Sequence, residues 1–404
     1  MSLLKGASST GFEEAKRIIL DSATRLPGES VELLKAAGRV LTSDAASPWN
    51  LPRFANSAMD GFAVRAEDCN AGETLQVVEF VPAGARPTKK IERGTAARIM
   101  TGAPVPDGAD CVVPFENATE AGGSVRANEP VKLWQNIRRA GEDARTGEVV
   151  LAAGRLLRPL EINLLASCGR THVDVVRRPR VAILSTGDEL VMLGETPGAV
   201  QIVNSNAYSL ASAVSALGAE PVMLGIARDN WESHREKISE GLQCDVLITS
   251  AGVSVGDKDF VRRVLEELGV HLQFERVRVR PGKAMAFGKL DGKLVFGLPG
   301  NPVSSMLSFE EFVAPTLRKM MGVKARGDEI FEAVLRHEVT KKRDLTMLLR
   351  VKLELGEGHW VASSSGVQET GRVRTLVEAD AVAVLPEGVE HFAAGARVPV
   401  HWLG

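Results

Sequence analysis

Val246-Leu247-Ile248, then Ser250-Ala251-Gly252-Val253-Ser254-Val255-Gly256-Asp257-Lys258-Asp259, then a segment in which Phe260, Val261, Val264, Leu265 and Leu268 recur at helical spacing: this stretch reads as strand, loop and helix. Asp259 is placed to cap the first helical turn and Gly269 to end the last. A loop that runs into a helix N-terminus meets free N–H groups and the positive end of the macrodipole, which suits an anion, most often a phosphate. Gly252 and Gly256 allow close backbone approach and positive φ. Asp257 and Asp259 would repel a bare phosphate; a hard cation such as Mg²⁺, bridging carboxylate and phosphate oxygens, resolves that conflict. The spacing is not that of a Walker A loop. Taken alone, a tight strand-to-helix connection with capping aspartates accounts for the same residues.

Working outward, apolar strands are expected at Val181–Leu184, Val222–Ile226, Val246–Ile248 and Leu294–Gly297. They alternate with helices at Asn204–Leu217, Trp231–Leu242, Phe260–Leu268 and Val303–Met320. That alternation describes a doubly wound α/β domain whose sheet is at least partly parallel, with helices on both faces and ligands at the carboxyl ends of the strands. The strand ends then carry chemistry: Asp188-Glu189, Arg228-Asp229, the Gly252–Asp259 loop, and Pro299-Gly300-Asn301-Pro302-Val303-Ser304-Ser305, with Arg280-Pro281-Gly282-Lys283 ahead of the last strand. Each alone reads as a turn, a cap or a solvated pair. Together they gather carboxylates (Glu189, Asp229, Asp257, Asp259), cations (Arg280, Lys283) and hydroxyl donors, which fits a metal-bridged phosphate with a second anion on the basic pair.

The other regions differ in texture. Residues 11–45 read as helical, with a second helix near Ser30 to Ala37. Residues 148–177 return to helix around Pro159–Ala166. Between them, short β-type runs such as Gly61–Val64, Leu75–Val78, Ala97–Met100, Asp110–Val113 and Val131–Trp134 alternate with turns, giving a β-rich domain over 47–147. Three of its turns are unusually polar: Asn56–Gly61, Met100–Pro104 and Ile137–Asp143. As hairpin connections they need no further explanation. Short strands with Gly-rich turns recur over 327–404, a barrel-like or sandwich-like β domain to which no chemistry is assigned. The remaining boundaries follow: 1–46 with 148–177 as a helical and linker domain, and 178–326 as the α/β domain.

Bulk composition narrows the classes. Lys+Arg 49 against Asp+Glu 51 leaves a net charge of -2, so nothing points to nucleic acid. Cys69, Cys111, Cys168 and Cys244 form no C-x-x-C pair, which argues against a disulfide framework or structural zinc and fits a reducing cytoplasm. No run of about 18 apolar residues suggests a membrane span, and the N-terminus lacks a signal-peptide core.

Ser57-Ala58-Met59-Asp60-Gly61, Met100-Thr101-Gly102-Ala103-Pro104-Val105-Pro106, Gly141-Glu142-Asp143, Ser185-Thr186-Gly187-Asp188-Glu189-Leu190, Gly252-Val253-Ser254-Val255-Gly256, Pro281-Gly282-Lys283 and Gly297-Leu298-Pro299-Gly300-Asn301-Pro302-Val303-Ser304 follow one another in the order found in a known family. Over essentially its whole length the chain resembles the molybdopterin molybdenumtransferases, the MoeA family that includes the E domain of gephyrin. The resemblance implies insertion of molybdate into adenylylated molybdopterin with Mg²⁺ and release of AMP. It also implies an elongated homodimer whose cleft joins the α/β domain of one subunit to the β-rich domain of the other. Contacts with the adenylylating enzyme and with apo-molybdoenzymes would follow.

Carried over by position, the resemblance gives Glu189, Asp229, Asp257 and Asp259 to metal and diphosphate, and Arg280 and Lys283 to an oxyanion. Gly252, Ser254 and Gly256, with Pro299, Asn301, Pro302 and Ser304, fall on the pterin side, while Asp60, Thr101 and Asp143 complete the cleft. Ala251, Phe62, Arg280 and Ala284 depart from the commonest pattern, where glycine, tyrosine, lysine and proline are frequent. Arginine for lysine changes oxyanion handling, because a planar fork binds differently from a point charge. Two other readings compete: an ATP-dependent adenylylating enzyme, whose relatives lack the β domains, and a scaffold that binds the pterin without turnover.

Overall fold

The computed structural model describes residues 9–251, 260–324 and 330–403. They fold as two compact units: Ser30–Ala37 with Leu41–Asp174, and the remainder of the described residues.

The second of these opens with α1 (Phe12–Ser22), which buries Phe12, Ala15 and Ile19 at helical spacing. Within the first unit, a six-stranded sheet is built from β1 (Gly61–Val64), β2 (Leu75–Val81), β3 (Thr95–Ile99), β4 (Cys111–Pro114), β5 (Ala118–Ala121) and β6 (Ser124–Ala127), in the order β4-β1-β3-β2-β6-β5. Alternation along the strands supplies two cores. Phe62, Val64, Cys111 and Val113 face one side, and Ala63, Ala97, Ile99 and Val112 the other. The helix α2 (Pro159–Ser167) starts on a proline at its first turn and closes a capping box through Glu161.

The larger unit continues with β7 (Arg180–Thr186), α3 (Ser205–Ala216), β8 (Glu220–Ala227), α4 (Trp231–Gly241), β9 (Val246–Ser250), α5 (Phe260–Glu267), β10 (His271–Phe274), β11 (Val279–Arg280), β12 (Ala286–Leu290) and β13 (Lys293–Leu298). The sheet runs β8-β7-β9-β13-β12-β10, parallel across its first four strands and antiparallel across the last two pairings. Register sets Ile183 beside Ile248 and Ile248 beside Phe296. These three pack against α1 and α3, whereas Ala182, Leu184, Leu247 and Val295 pack against α4 and α5. Both faces are covered, so the parallel strands read as unbroken apolar runs. After β13 come α6 (Pro302–Ser308), a π-helical turn over Phe309–Val313, and α7 (Ala314–Met320).

The C-terminal strands are β14 (Phe331–Leu335), β15 (Thr346–Leu355), β16 (Trp360–Ser364), β17 (Ala381–Leu385) and β18 (Arg397–Trp402). Their order β15-β16-β14-β18-β17 closes through a β15–β17 pairing, giving a five-stranded barrel filled by Ala333, Leu335, Leu349, Val351, Ala383 and Val400. The multidomain α/β-plus-β architecture is as the sequence predicts.

Three local expectations fail. The second N-terminal helix is instead a strand, Gly28–Glu32, and a 3-10 turn, Leu33–Ala36, where the Leu33 N–H is taken by the Thr171 carbonyl. Long-range backbone pairing overrides the local helical pattern there. Val131–Trp134 is no strand: Trp134 and Asn136 hold φ of 66° and 56°, which ends any extended run. The two antiparallel strands β10 and β12 were not expected, because their short alternating runs carry little periodic signal.

Candidate functional site

At the carboxyl edge of the α/β sheet the strand ends are laced together. The Gly187 N–H reaches the Ala227 carbonyl at 3.1 Å, the Asp229 N–H reaches Asp188 Oδ1 at 3.2 Å, and Arg228 Nη1 reaches the Leu190 carbonyl at 2.9 Å. Those bonds bring the turns carrying Glu189 and Asp229 to one corner. Gly187 is required: its φ is 133°, and a Cβ there would meet the Glu189 carboxyl carbon at 2.6 Å. Opposite, Asn206 Nδ2 donates to Ser250 Oγ at 2.9 Å and to the Gly300 carbonyl at 2.8 Å, tying α3 to the ends of β9 and β13. The Ala251 N–H binds the Leu298 carbonyl at 3.0 Å.

A cleft of about 390 Å³ results, lined by Glu189, Asn204, Asn206, Ser250, Ala251, Asn301 and Pro302 among others. Of the residues expected from sequence, Glu189, Asn301 and Pro302 line it. Pro299 and Ser304 are buried next to it instead, Ser304 inside the first turn of α6. The Ser305 and Thr249 hydroxyls and the Asn204 amide nitrogen are buried without a partner among the described residues. Of these three residues only Asn204 lines the cleft, where its amide nitrogen is a spare donor. Gly252, Ser254, Gly256, Asp257 and Asp259 lie outside the described residues.

Arg280 and Lys283 are exposed and flank a turn seated on α6: Gly282 holds φ of 107°, and a Cβ there would meet Ser308 Oγ at 2.8 Å. They do not line the 390 Å³ cleft. Arg280 also belongs to β11, which pairs with the barrel strand β15 (Arg280 beside Met347).

In the β-rich unit the three polar turns meet. Ile137-Arg138 pairs with Asn56-Ser57, Asn56 bridges to Pro104, and the Ser57 N–H binds the Ala103 carbonyl. Asp60 Oδ1 accepts both the Thr101 amide at 2.6 Å and the Thr101 hydroxyl at 2.7 Å. Those two hydrogen bonds, amide first, hold its carboxyl below the usual range, so it presents a fixed negative charge. Asp143 follows on the third turn, its N–H bound to the Leu51 carbonyl at 3.0 Å.

The sequence reading missed several groups. Asn204 and Asn206 sit in the polar run Asn204-Ser205-Asn206 that enters a helix at a strand end, a readable signal. Arg350, in the barrel, is fully buried; its Nη2 donates to the Val367 and Glu369 carbonyls, while Nε and Nη1 have no partner among the described residues. The neighbouring Thr370 carbonyl takes the Val303 N–H of α6. Nothing in the alternation along β15 marks that position as a cation site.

The donor set can be compared with the requirements of Mg²⁺. No group of three His, Cys, Asp or Glu able to hold a metal exists among the described residues. Glu189 and Asp229 are exposed oxygen donors, and the Glu189 carboxylate has no partner among the described residues. One or two carboxylates with room for water and phosphate oxygens suit Mg²⁺. All four cysteines are free and buried. No helix among the described residues is long and apolar enough to cross a membrane.

Comparison with known proteins covers nearly the whole chain. Residues 10–169 match the MoeA N-terminal region (domain I and II), 182–319 a probable molybdopterin binding domain, and 332–403 the MoeA C-terminal region (domain IV). The chain is 34% identical over 394 residues to a molybdopterin molybdenumtransferase of Staphylococcus epidermidis (96% of this chain, 94% of that one) and 32% identical to one of Staphylococcus aureus over the same length and coverage. A molybdopterin biosynthesis MoeA protein from Pyrococcus horikosii is 31% identical and superposes with a TM-score of 0.83 over 98% of this chain and 99% of that one.

Proposed function

The chain belongs to the MoeA family of molybdopterin molybdenumtransferases, transferases of molybdenum cofactor biosynthesis, and on that premise we propose that it inserts molybdate into adenylylated molybdopterin and releases AMP. The observation that carries the reading is the cleft where Glu189, the Asn204–Asn206 run, Ser250 and the Gly300–Pro302 turn converge at the carboxyl edge of the sheet.

In this reading the pterin lies along Asn301 and Pro302, with Pro299 and Ser304 shaping the turn from beneath. Gly252, Ser254 and Gly256 would cradle its phosphate. Glu189 and Asp229, with Asp257 and Asp259, would hold Mg²⁺, which when bound neutralises the diphosphate. Arg280 and Lys283 keep two positive charges beside α6 for an incoming oxyanion. The two dithiolene thiols form two bonds to molybdenum, their two protons leaving with one molybdate oxygen as water, and hydrolysis of the phosphoanhydride by one water frees AMP and leaves the phosphate on the pterin. Asp60, fixed by Thr101, and Asp143 would close the cleft from the partner copy of a homodimer. The free, buried thiols suit a reducing cytoplasm, where the adenylylating enzyme would deliver substrate and apo-molybdoenzymes would collect the product.

The test is AMP release from adenylylated molybdopterin by the purified chain with Mg²⁺, with and without molybdate. Molybdate-dependent release, with product that reconstitutes an apo-molybdoenzyme, is expected. Binding without release would replace the reading by a scaffold, and transfer of AMP from ATP by an adenylylating enzyme. Sedimentation as a monomer would remove the shared cleft.

A further inference from the structure

The β-rich unit contains a second cleft, of about 650 Å³, which the proposed reaction does not use. Its apolar lining is Phe54, 48% exposed, with half-buried Pro87, Pro104 and Val105. Arg86, Lys89 and Lys90 stand exposed around it, and none of the three makes an ion pair among the described residues. Two carboxylates lie close. Asp107 is on the lining, while Glu79, which attracts Lys89, is already committed to the Thr88 amide at 2.8 Å, the Thr88 hydroxyl at 2.7 Å and the Lys89 amide at 3.0 Å. In a chain of net charge -2, this local excess of cations is a matter of placement.

The apolar lining favours one kind of anion over a bare phosphate. A phosphate cradle presents free N–H groups, from a helix N-terminus or a nest. Here the Thr88 and Lys89 amides are held by Glu79, that of Ala85 by the Pro82 carbonyl and that of Val105 by the Ala55 carbonyl, Pro87 and Pro104 have none, and no helix N-terminus lines the cleft; the amides of Phe54, Gly84, Arg86, Lys90 and Asp107 have no partner among the described residues. An apolar trough with long cationic side chains around it matches a protein interface with an apolar centre and a charged rim.

We propose that this cleft docks an acidic segment of a partner protein, its apolar side chain resting on Phe54, Pro87, Pro104 and Val105 and its carboxylates meeting Arg86, Lys89 and Lys90. The inference does not depend on the reaction proposed above.

The probe is a fluorescein-labelled peptide, Asp-Glu-Glu-Phe-Leu-Glu-Glu-Asp, titrated with the full chain and read by anisotropy at about 50 and about 300 mM salt. Saturable binding is expected, weakened roughly tenfold by R86E/K89E/K90E and by higher salt. F54S, or Gly-Ser in place of Phe-Leu in the peptide, should each weaken it by roughly fivefold. All changed side chains are exposed, so melting temperatures should stay at the wild-type value; the milder R86Q/K89Q variant, intermediate in affinity, guards against misfolding of the triple variant. Absence of saturable binding, or binding indifferent to these variants, overturns the proposal. So does displacement of the peptide by inorganic pyrophosphate at equal concentration, which would make the cleft a phosphate pocket. A changed sedimentation coefficient in the variants also overturns it, because the cleft would then be a contact between copies of this chain.

Discussion

Substituting Glu311 should release the C-terminal barrel strand from the helices beneath it. Glu311 lies in the π-helical turn between α6 and α7, its side chain 3% exposed, and takes Lys16 Nζ of α1 at 2.9 Å and His401 Nε2 of β18 at 2.7 Å. The other ring nitrogen of His401 is 3.0 Å from the Trp402 carbonyl, so both nitrogens face acceptors and the imidazolium satisfies both. Burial alone would lower the His401 pKa, yet the hydrogen bond to Glu311 carries it above 6.5. Burial likewise pushes Glu311 up, yet His401 and the Lys16 charge hold it below 4.5. The Glu311 contribution is present above its unfolded value and lost as pH falls through the depressed folded value. The His401 contribution is full below 6.5 and lost as pH rises through the elevated folded value. Stabilisation by the cluster is therefore greatest between 4.5 and 6.5.

Breaking a buried pair by removing one partner costs about 3–5 kcal/mol. Lys16 is 26% exposed and can turn to water, and His401 can shed its proton, so E311A should cost about 3 kcal/mol, the low end of that range. Urea denaturation followed by tryptophan fluorescence, with Trp402 beside the cluster, gives the double-mutant cycle of E311A and H401A. The coupling should be about 1.5 kcal/mol near pH 5.5 and below about 0.5 kcal/mol near pH 8.5. A coupling below about 0.5 kcal/mol at the lower pH, or one unchanged at the higher, refutes the reasoning.

Glu189→Gln should lower AMP release about 100-fold while the melting temperature is unchanged, because the carboxylate is exposed and has no partner among the described residues; equal activity would remove Glu189 from the site. Thr101→Val, which deletes the hydroxyl and keeps the amide, should move the Asp60 pKa back toward 3.8, read by carboxyl carbon NMR titration. Ala251 holds φ of 73°, where an L-residue loses about 1 kcal/mol. Ala251→Gly should be neutral within about 0.5 kcal/mol, as glycine's entropy offsets that gain, whereas Ala251→Val should destabilise by at least about 1 kcal/mol, both measured by thermal denaturation. Burial pushes the Cys69 thiol up to about 11, and all four cysteines are buried. Ellman's reagent should find no reactive thiol in the native chain at about pH 8.

The elements legible in sequence were those whose pattern is local. Ile183, Ile248 and Phe296 sit in apolar runs because both sheet faces are covered, and the helices from Ser205, Trp231 and Phe260 show their buried stripes at helical spacing. The strand-end residues Glu189, Asn301 and Pro302 were readable for the same reason, since a parallel sheet puts its loops at one edge. What depends on distant partners was not legible. Gly28–Glu32 became a strand through pairing far along the chain, and Arg350 became a buried cation through carbonyls of the 367–369 segment. Ala251 shows an intermediate case: its departure from a frequent glycine was visible, but the positive φ behind it needed coordinates. The Asp60–Thr101 bond was likewise invisible as a bond, although both turns stood out as polar.

The two residues of β11 are registered on barrel strand β15, with Val279 beside Thr346, while the turn that follows them rests on α6. Arg280 is thus tied to two layers of one compact unit, the barrel through its strand and α6 through the turn that follows. A shift of β15 would carry the Arg280 backbone with it, because the two are paired. If Arg280 meets an oxyanion as proposed, the barrel, which otherwise looks remote from the chemistry, would help to set where its guanidinium stands.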